Sequence, residues 1–346
     1  MTDEFGVSRR AYLKGIGGAT LASTGLAGCS GVLSSSNGLD ELRVAYMPIY
    51  PDMQYFVMEE EGYFDELSVS VSGEQFPDGP SIVQASAKGD FDVMLFGIVP
   101  AMIIMDKGIP AKITAANIED AMQILASDEF ADLWDEHGKA AFGKFEEQTG
   151  RKFTFGTFPP GSVPDILLRY WIDQELGLDP EKDVEIKGLG GASAVQQALL
   201  AGEVDGTSIM EPVPTIVQRK DAPFRPIAWA GDFMPGQPAA VTLMHDRLRE
   251  DNTDVAREFL RQHRKATDLA VNQPDKAASH AASFIDSLDE STAKAAMDSR
   301  ASAFVSDPHA IEDHAVTFSE YASRLGKTDK KLSKSEMFDF EVYDSL

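Results

Sequence analysis

The alternation of short apolar strands with helices is the feature that most constrains the fold of this sequence. Residues 42–46 and 67–71 have the composition of strands, and residues 54–63 between them have the composition of a helix. The alternation continues to about residue 244, and only predicted helices follow residue 251. Because parallel strands are joined by helical crossovers, this order predicts an α/β fold with mainly parallel sheets and C-terminal helices.

One local pattern occurs twice and indicates two similar lobes. A helix, a glycine, an acidic residue and a strand follow one another over residues 85–94 and again over residues 199–206. Gly89 and Gly202 would end the two helices in left-handed turns. Ligands bind beyond the carboxyl ends of the strands in open α/β sheets, so the repeat predicts a cleft between the lobes. A chance similarity between two helix–strand turns is the alternative.

The N-terminal residues contain the three parts of an export and lipidation signal. Arg9 and Arg10 form a twin-arginine motif, a short and weakly apolar stretch follows, and the sequence LAGC ends at Cys29, the only cysteine. Cleavage before Cys29 and attachment of lipid to its thiol would anchor the mature protein to the outer face of the cell membrane. The alternative is an N-terminal segment in which the cysteine is present by chance.

These signals divide the chain into four parts. We expect residues 1–28 to be a signal peptide and residues 29–39 to form a flexible tether. The remaining chain is long enough for two hydrophobic cores. We predict the first lobe over residues 40–127 plus 237–346, and the second lobe over residues 128–236.

The acidic composition limits the partners of the protein. The formal net charge is -25 at pH 7. A surface of this charge repels nucleic acids and anionic lipid headgroups, so neither is expected to bind. Together with an archaeal type of leader, the acidity suggests a halophilic source, in which surface carboxylates keep the protein hydrated.

No catalytic or metal-binding motif stands out in the sequence. There is no Gly-x-Ser-x-Gly elbow, no His-Glu-x-x-His motif and no cysteine cluster. Five of the six histidines, including His263, fall in predicted surface helices, and His245 follows a strand. We therefore predict a protein that is not an enzyme and that carries no cofactor and no metal ion.

The stretch FPPGSVPD, residues 158–165, precedes a predicted helix and is a candidate ligand-binding loop. Ser162 is a favourable N-cap residue, and Asp165 stands at the third helical position. Gly161 would let the backbone approach a ligand, and the free amides and the helix dipole suit an anion or a carbonyl group. A well-capped helix without a binding role is the alternative.

Several stretches, in a fixed order, resemble one family of transport proteins. They are LRVAYMPIYPDMQYFVMEEEGYFDE, ASAKGDFDVMLFGIVPAMIIMDKGIPAKI and the residues from Thr157 to Pro212. They resemble the extracytoplasmic solute-binding proteins of ABC importers of the nitrate, sulfonate and taurine type, which are related to binders of thiamine-pyrimidine precursors. The resemblance implies a two-lobe periplasmic-binding-protein fold (type II). It also implies closure on a small solute and delivery to an ABC permease driven by an ATPase.

The resemblance also implies where the solute binds. The positions that match the family's ligand loops are Tyr50, Asp52, Gln54, Phe96, Gly97, Gly161, Ser162, Met210 and Glu211. These loops hold no lysine or arginine, and Asp52, Asp165 and Glu211 beside aromatic rings favour a neutral or cationic heterocycle such as an aminopyrimidine. The amides at Ser162 leave an anion such as nitrate or a sulfonate as the alternative.

Two other functions are compatible with the same fold. Enzymes of pyrimidine synthesis and of the menaquinone pathway have two such lobes, and an extracellular sensor would bind a ligand without a permease. The leader and the lack of catalytic motifs favour the importer component, acting as a monomer. Residues 127–150 are longer than the connection that the resemblance implies, and we predict no function for them.

Overall fold

The computed structural model describes residues 39–286 and 288–346. These residues form two lobes, and each lobe is built on one β-sheet flanked by helices. The predicted export signal at Arg9 and Arg10 and the predicted lipidation site at Cys29 lie outside the described residues.

Eleven strands within the described ranges form the two sheets. The first sheet contains β1 (Glu41–Tyr46), β2 (Ser70–Gln75), β3 (Val93–Gly97), β4 (Ala111–Glu119), β10 (Pro238–His245) and β11 (Ala303–Phe304), in the order β11-β4-β10-β3-β1-β2. The second sheet contains β5 (Gln123–Ser127), β6 (Thr154–Thr157), β7 (Glu185–Gly188), β8 (Gly206–Ile209) and β9 (Phe224–Trp229), in the order β7-β6-β8-β5-β9.

Helices cover both sheets and make up most of the C-terminal region. They are α1 (Met53–Glu60), α2 (Gly79–Ser86), α3 (Ile98–Asp106), α4 (Asp128–His137), α5 (Ala141–Thr149), α6 (Val163–Tyr170), α7 (Ala192–Leu200), α8 (Val213–Arg219), α9 (Ala230–Phe233), α10 (Asp246–Arg249), α11 (Thr253–Asn272), α12 (Pro274–Phe284), α13 (Glu290–Met297), α14 (Glu312–Arg324), α15 (Lys334–Met337) and α16 (Glu341–Asp344). A π-helical turn, Trp171–Glu175, extends α6. Within the described residues, none of these helices is both long and apolar enough to span a membrane.

The two-lobe α/β fold agrees with the prediction, but the sheets are mixed and not mainly parallel. In the first sheet, β1 pairs in parallel with β2 and β3, while β10 is antiparallel to β3 and β4. In the second sheet, β6 pairs in parallel with β7 and β8, while β5 is antiparallel to β8 and β9. Strands β5 and β10 each begin where the chain arrives from the other lobe. They therefore need no helical crossover on their own sheet, which leaves their direction free.

The strand pairing also moves one predicted lobe boundary. The prediction placed residues up to 127 in the first lobe, but β5 pairs with β8 and β9 of the second sheet. The chain therefore leaves the first sheet after Glu119 and returns to it at Pro238.

The two passages between the lobes are tied together at Asp120. This residue has a left-handed backbone with φ 52°, and its amide donates to the carbonyl oxygen of Gln237 at 2.8 Å. The amide of Gln237 donates to Asp120 Oδ1 at 2.8 Å, and Trp229 Nε1 donates to the Asp120 carbonyl oxygen at 2.7 Å. Asp120 thus fixes the relative position of both connecting segments, where a hinge of a two-lobe protein would lie.

The left-handed turns predicted after the two repeated helices are confirmed. Gly89 has φ 71° and Gly202 has φ 67°. Nothing lies within 4 Å of a Cβ placed on either residue, so the backbone conformation alone accounts for glycine at both positions.

Residues 127–150, which the resemblance left without a role, build the outer core of the second lobe. They form α4 and α5, whose Phe130, Phe142 and Phe145 surround Phe153 at ring-centroid distances of 4.0, 5.6 and 5.4 Å. Close aromatic packing of this kind is a large part of the burial energy of a small core.

A larger apolar cluster runs through both lobes. It contains Phe96 of the first lobe together with Phe158, Ile166 and Met210 of the second. The hydrophobic core of the first lobe is therefore continuous with apolar residues of the second lobe.

Candidate functional site

A small cavity lies between the lobes at the carboxyl ends of β1, β3 and β8. Its volume is about 20 Å³, enough for about one water molecule. Nearly all of its lining is apolar; the residues are Met47, Ile49, Pro51, Gly79, Gly97, Pro100, Met122, Phe158, Ser162, Val163, Pro164, Met210, Ala239 and Ala240. The cavity is at the place where the cleft was predicted.

The lobes touch beside this cavity at Gly97 and Val163. Gly97 has φ -62° and ψ 145°, a conformation that any residue adopts. A Cβ on Gly97 would lie 2.9 Å from Cγ2 of Val163 in the second lobe. Glycine is therefore required at position 97 for the close approach of the lobes and not for the backbone conformation.

A second close approach occurs between Gly191 and Pro77. A Cβ on Gly191 would lie 2.6 Å from the carbonyl oxygen of Pro77. Gly191 precedes α7 of the second lobe, and Pro77 precedes α2 of the first. With the contact at Gly97, this shows that the lobes are closed on each other.

Three helices begin at the cavity. Gly79 is the first residue of α2, Gly97 precedes α3, and Ser162 and Val163 begin α6. A helix N-terminus carries the positive end of a helix dipole, but side chains already cap part of the first-turn amides: Asp78 Oδ1 accepts from the Ser81 amide in α2, and Ser162 Oγ accepts from the Asp165 amide in α6. Helices α2 and α3 belong to the first lobe and α6 to the second, so both lobes direct partial positive charge at one point.

The capping of α6 leaves one amide without an acceptor in the helix. Ser162 Oγ accepts from the amide of Asp165 at 3.4 Å, and the amide of Ser162 donates to the Pro159 carbonyl oxygen at 3.1 Å. Residue 164 is proline and has no amide hydrogen. The amide of Val163, at the first helical position, is the group that α6 has available for a ligand.

Three of the predicted ligand residues line the cavity: Gly97, Ser162 and Met210. Phe96 and Gly161 are adjacent to them in sequence but do not line it. The backbone of Gly161 has φ 92°, and its amide donates to Asp165 Oδ2 at 3.0 Å. The Gly161 amide is thus used within the loop.

Asp165 is a structural residue of this loop. Besides the Gly161 amide, its carboxylate accepts from Arg169 Nε at 2.8 Å. Arg169 also pairs with Glu181. Because both oxygens of Asp165 are bound by the protein, its carboxylate is not directed at the cavity.

Tyr50 and Glu211 come close to each other across the lobes, but the protein occupies their polar atoms. Tyr50 Oη donates to the carbonyl oxygen of Ala293 at 2.5 Å. Glu211 Oε1 accepts from Gln123 Nε2 at 3.0 Å, and Oε2 accepts from the Thr215 amide at 3.2 Å. Burial raises the pKa of both groups, and the charge of Glu211 raises the pKa of Tyr50 further.

Asp52 and Gln54 do not line the cavity either. Asp52 Oδ2 accepts from the Met47 amide at 2.8 Å, and burial raises the pKa of Asp52 well above its ordinary value. Gln54 Nε2 donates to the Asn117 carbonyl oxygen at 2.8 Å and to Thr267 Oγ1 at 3.1 Å. Asp52 shapes the loop that carries Met47, and Gln54 ties α1 to β4 and α11.

The prediction that His263 lies on a surface helix is wrong. His263 is fully buried, and its Nε2 lies 3.1 Å from Asn117 Oδ1, which also accepts from Thr242 Oγ1 at 2.8 Å. Burial lowers the pKa of His263 to about 3, so the ring is neutral. The helical periodicity of the sequence places position 263 on the apolar face of α11. This periodicity could have predicted that His263 is buried.

Over residues 39–286 and 288–346, no group of three or more His, Cys, Asp or Glu side chains is arranged to hold a metal ion. The walls of the cavity contain one hydroxyl, that of Ser162, and no titratable side chain. The accessible lining is almost wholly apolar, so it can hold a ligand chiefly by shape.

Residues 36–285 match the sequence profile of the NMT1-like family. The chain belongs to this family. A search of curated proteins finds no match.

Solved structures show the same fold as this NMT1-like protein. The periplasmic aliphatic sulphonate binding protein SsuA from Escherichia coli has 16% identity, a TM-score of 0.69 and coverage of 87% of this chain and 92% of its own. The periplasmic nitrate-binding protein NrtA from Synechocystis PCC 6803 has 14% identity and a TM-score of 0.74, and the match covers 89% of this chain and 88% of NrtA. The ligand-binding component of an ABC-type import system from Staphylococcus aureus, with zinc bound, has 14% identity, a TM-score of 0.71 and coverage of 88% and 98%.

The contact at Gly97 gives a first prediction. Gly97→Ala should separate the lobes of the NMT1-like protein, since its methyl group meets Val163, and should lower the free energy of unfolding by about 1–3 kcal/mol. Small-angle X-ray scattering should record a larger radius of gyration. Gly143→Ala is the control: it lies in α5 with nothing within 4 Å of the added Cβ. It should raise stability by about 0.5–1 kcal/mol and leave the radius unchanged. An unchanged radius in Gly97→Ala would contradict this interpretation.

The buried carboxyl of Glu211 gives a second prediction, on the pH dependence of stability. Its pKa in the folded state is raised above the ordinary 4.5 by burial. Its contribution is therefore fully present below pH 4.5 and is lost as the pH rises through the raised value. Glu211→Gln cannot ionise, so its free energy of unfolding should rise relative to the wild type as the pH rises from 4.5 through the raised pKa of Glu211, by about 1.4 kcal/mol per unit of pKa difference.

Glu336 provides a control of opposite sign for the measurement on Glu211. Its pKa is lowered to about 2, first by its hydrogen bond with Lys330. Glu336→Gln should therefore be less stable than the wild type at neutral pH, and this deficit should disappear as the pH falls toward 2. Chemical denaturation at a series of pH values measures both variants, and a constant difference between Glu211→Gln and the wild type would refute the argument.

Proposed function

We propose that this NMT1-like protein is the solute-binding component of an ABC importer and that it holds a small anion between its lobes. The observation that carries the proposal is the meeting of three helix N-termini, from both lobes, at one cavity between the lobes. Backbone amides and helix dipoles bind anions without a basic side chain. A ligand that contacts α2, α3 and α6 together would stabilise the closed lobes, which is how a solute-binding protein signals that it is loaded.

The folds of SsuA and NrtA support an anionic solute. Their names describe binding of aliphatic sulphonates and of nitrate. The heterocyclic solute expected from Asp52, Asp165 and Glu211 has less support, because none of these carboxylates lines the cavity. Met47, Met122 and Met210 in the wall have flexible side chains, which can make room for a small apolar substituent on the anion.

The enzyme alternative also has less support. Among the lining residues, Ser162 is the one with a nucleophilic group, and its Oγ accepts from the Asp165 amide. The described part of the chain places no general base against that hydroxyl. A sensor would have the same cavity, and the partner proteins distinguish it from an importer component.

A ligand screen with two variants of Val163 tests the proposed site. Nitrate, bicarbonate, methanesulfonate and taurine are compared with aminopyrimidine and thiamine by thermal unfolding. An anion at 100 times its dissociation constant should stabilise the protein by about 2.7 kcal/mol. Val163→Pro removes the free amide at the first helical position, where proline is tolerated, and should abolish this stabilisation. Val163→Ala keeps the amide and should retain most of it.

The screen also has outcomes that contradict the proposal. Stabilisation by a heterocycle alone would show that the helix N-termini do not select the solute. Equal anion binding by Val163→Pro and Val163→Ala would show that the α6 amide does not contact the ligand.

We also propose that the protein works outside the cell, held at the membrane by a lipid on Cys29, and passes its solute to a permease and an ATPase. The support is the order of the twin arginines and the LAGC sequence in the N-terminal residues. Cys29→Ser should move the protein from the membrane fraction to the soluble extracellular fraction without changing its ligand affinity. Fractionation followed by immunoblotting measures this, and Ser30→Ala is the control that keeps the thiol. Membrane retention of Cys29→Ser would refute the lipid anchor.

A further inference from the structure

The C-terminal part of the chain, beyond the residues that match the family, contacts both lobes. The family match ends at residue 285, and α14 lies after it. Helix α14 packs against α3 of the first lobe and against α6 of the second. It therefore adds a connection between the lobes to the two passages of the chain near Asp120.

Helix α14 begins near these passages and ends on the second lobe. A Cβ on Gly236 would lie 3.4 Å from Cδ2 of His314, in the first turn of α14. Tyr321 and Arg324 are nearer its other end, seven and ten residues beyond His314, which corresponds to about 10 and 15 Å along a helix. The contacts of these two residues with the second lobe are thus well separated from the hinge.

The contacts at this end centre on Asp173. Tyr321 Oη donates to Asp173 Oδ2 at 3.2 Å, and Arg324 Nη2 pairs with the same oxygen. The Tyr321 ring packs edge-on against Tyr170 with centroids 5.3 Å apart. The Arg324 guanidinium lies 4.5 Å from the centre of the Tyr321 ring, which orients it toward Asp173.

Asp173 is mechanically connected to the cavity. It lies in the π-helical turn that directly extends α6, and the first residue of α6 lines the cavity. Such turns are often found at functional sites. A displacement of Asp173 therefore moves the same helix that offers its amide to the proposed solute.

The Tyr321 hydroxyl, which donates in this contact, stays in one protonation state because it is buried. Burial raises the pKa of the Tyr321 hydroxyl, so it stays protonated and donates to Asp173 at neutral pH. Arg169 and Asp165 are the other charged groups that face Tyr321, and Arg169 is held by Asp165 and Glu181. The ion pair itself is partly exposed, with 33% of the Asp173 and 50% of the Arg324 side chain accessible.

We propose that Asp173, Tyr321 and Arg324 form a latch that holds the second lobe against the first in the closed form. The latch depends on the proposed function in one respect, which is that the lobes open and close. It does not depend on the identity of the solute. A partly exposed pair of this kind shifts an equilibrium by a small factor and is weakened by salt. Loss of the latch should therefore raise the ratio of open to closed molecules about two- to fivefold at low salt.

Distances between spin labels on the two lobes test the latch without a ligand. The full chain carrying Cys29→Ser receives Lys88→Cys in the first lobe and Glu203→Cys in the second, at exposed positions after α2 and α7. Pulsed electron paramagnetic resonance then gives the distance distribution. Asp173→Asn and Arg324→Gln should each increase the longer separations. The double variant should add little to either one, because both changes break the same contact.

Two further variants make the result specific. Tyr321→Phe keeps the ring packing and removes one hydrogen bond, so it should shift the distance distribution by less than Asp173→Asn or Arg324→Gln. It should also remain folded if those two variants do not. Arg225→Gln removes an exposed pair with Asp135 inside the second lobe and should change nothing. The shifts caused by Asp173→Asn and Arg324→Gln should shrink in about 1 M salt, where the pair is screened.

The outcomes separate the latch from the proposed function. Unchanged distances in Asp173→Asn, Arg324→Gln and Tyr321→Phe, or a shift of the same size in Arg225→Gln, would overturn the latch. A failed anion screen would count against the proposed solute while the distance measurements still decide the latch.

Discussion

The direct contact of the two lobes at Gly97 and Val163 is the constraint on which the rest of the site depends. With no side chain at position 97, the start of α3 lies against the start of α6, and the space between them shrinks to a cavity of about 20 Å³. The positive ends of the α2, α3 and α6 dipoles are thereby brought together around a small volume with an almost wholly apolar lining. At low local dielectric such dipoles act more strongly on an anion than they would at an open surface.

Helix α6 connects the ligand side of this arrangement with the lobe interface. Its cap is stabilised by Ser162 and Asp165, and Arg169 on the next turn holds Asp165 in place. Asp173 follows on the π-helical extension and meets α14 of the first lobe. One short element thus begins at the cavity at one end and contacts the C-terminal region at the other, so the proposed binding and the proposed closure would act on the same rigid body.

The sequence predicted the backbone features of the site better than its side chains. Ser162 as a cap, Gly97 at a strand end and the cleft itself follow from local rules of helix starts and strand order. The roles of Asp52, Asp165 and Glu211 did not, because the amides and side chains that bind their carboxylates come from tertiary neighbours or from the unforeseen shape of a loop. Strand β2 was placed at residues 67–71 but spans Ser70–Gln75, a polar edge strand defined by its pairing with β1 and not by its own pattern.

The apolar cluster that continues from Phe96 through Phe158 and Ile166 to Met210 has a thermal consequence. Separating the lobes would bring part of this cluster into contact with water, and hydration of apolar surface raises the heat capacity. The open form should therefore have the higher heat capacity, and the preference for the closed form should weaken on cooling. Temperature would then be a physical variable that sets how widely the lobes stand apart, in addition to any solute between them.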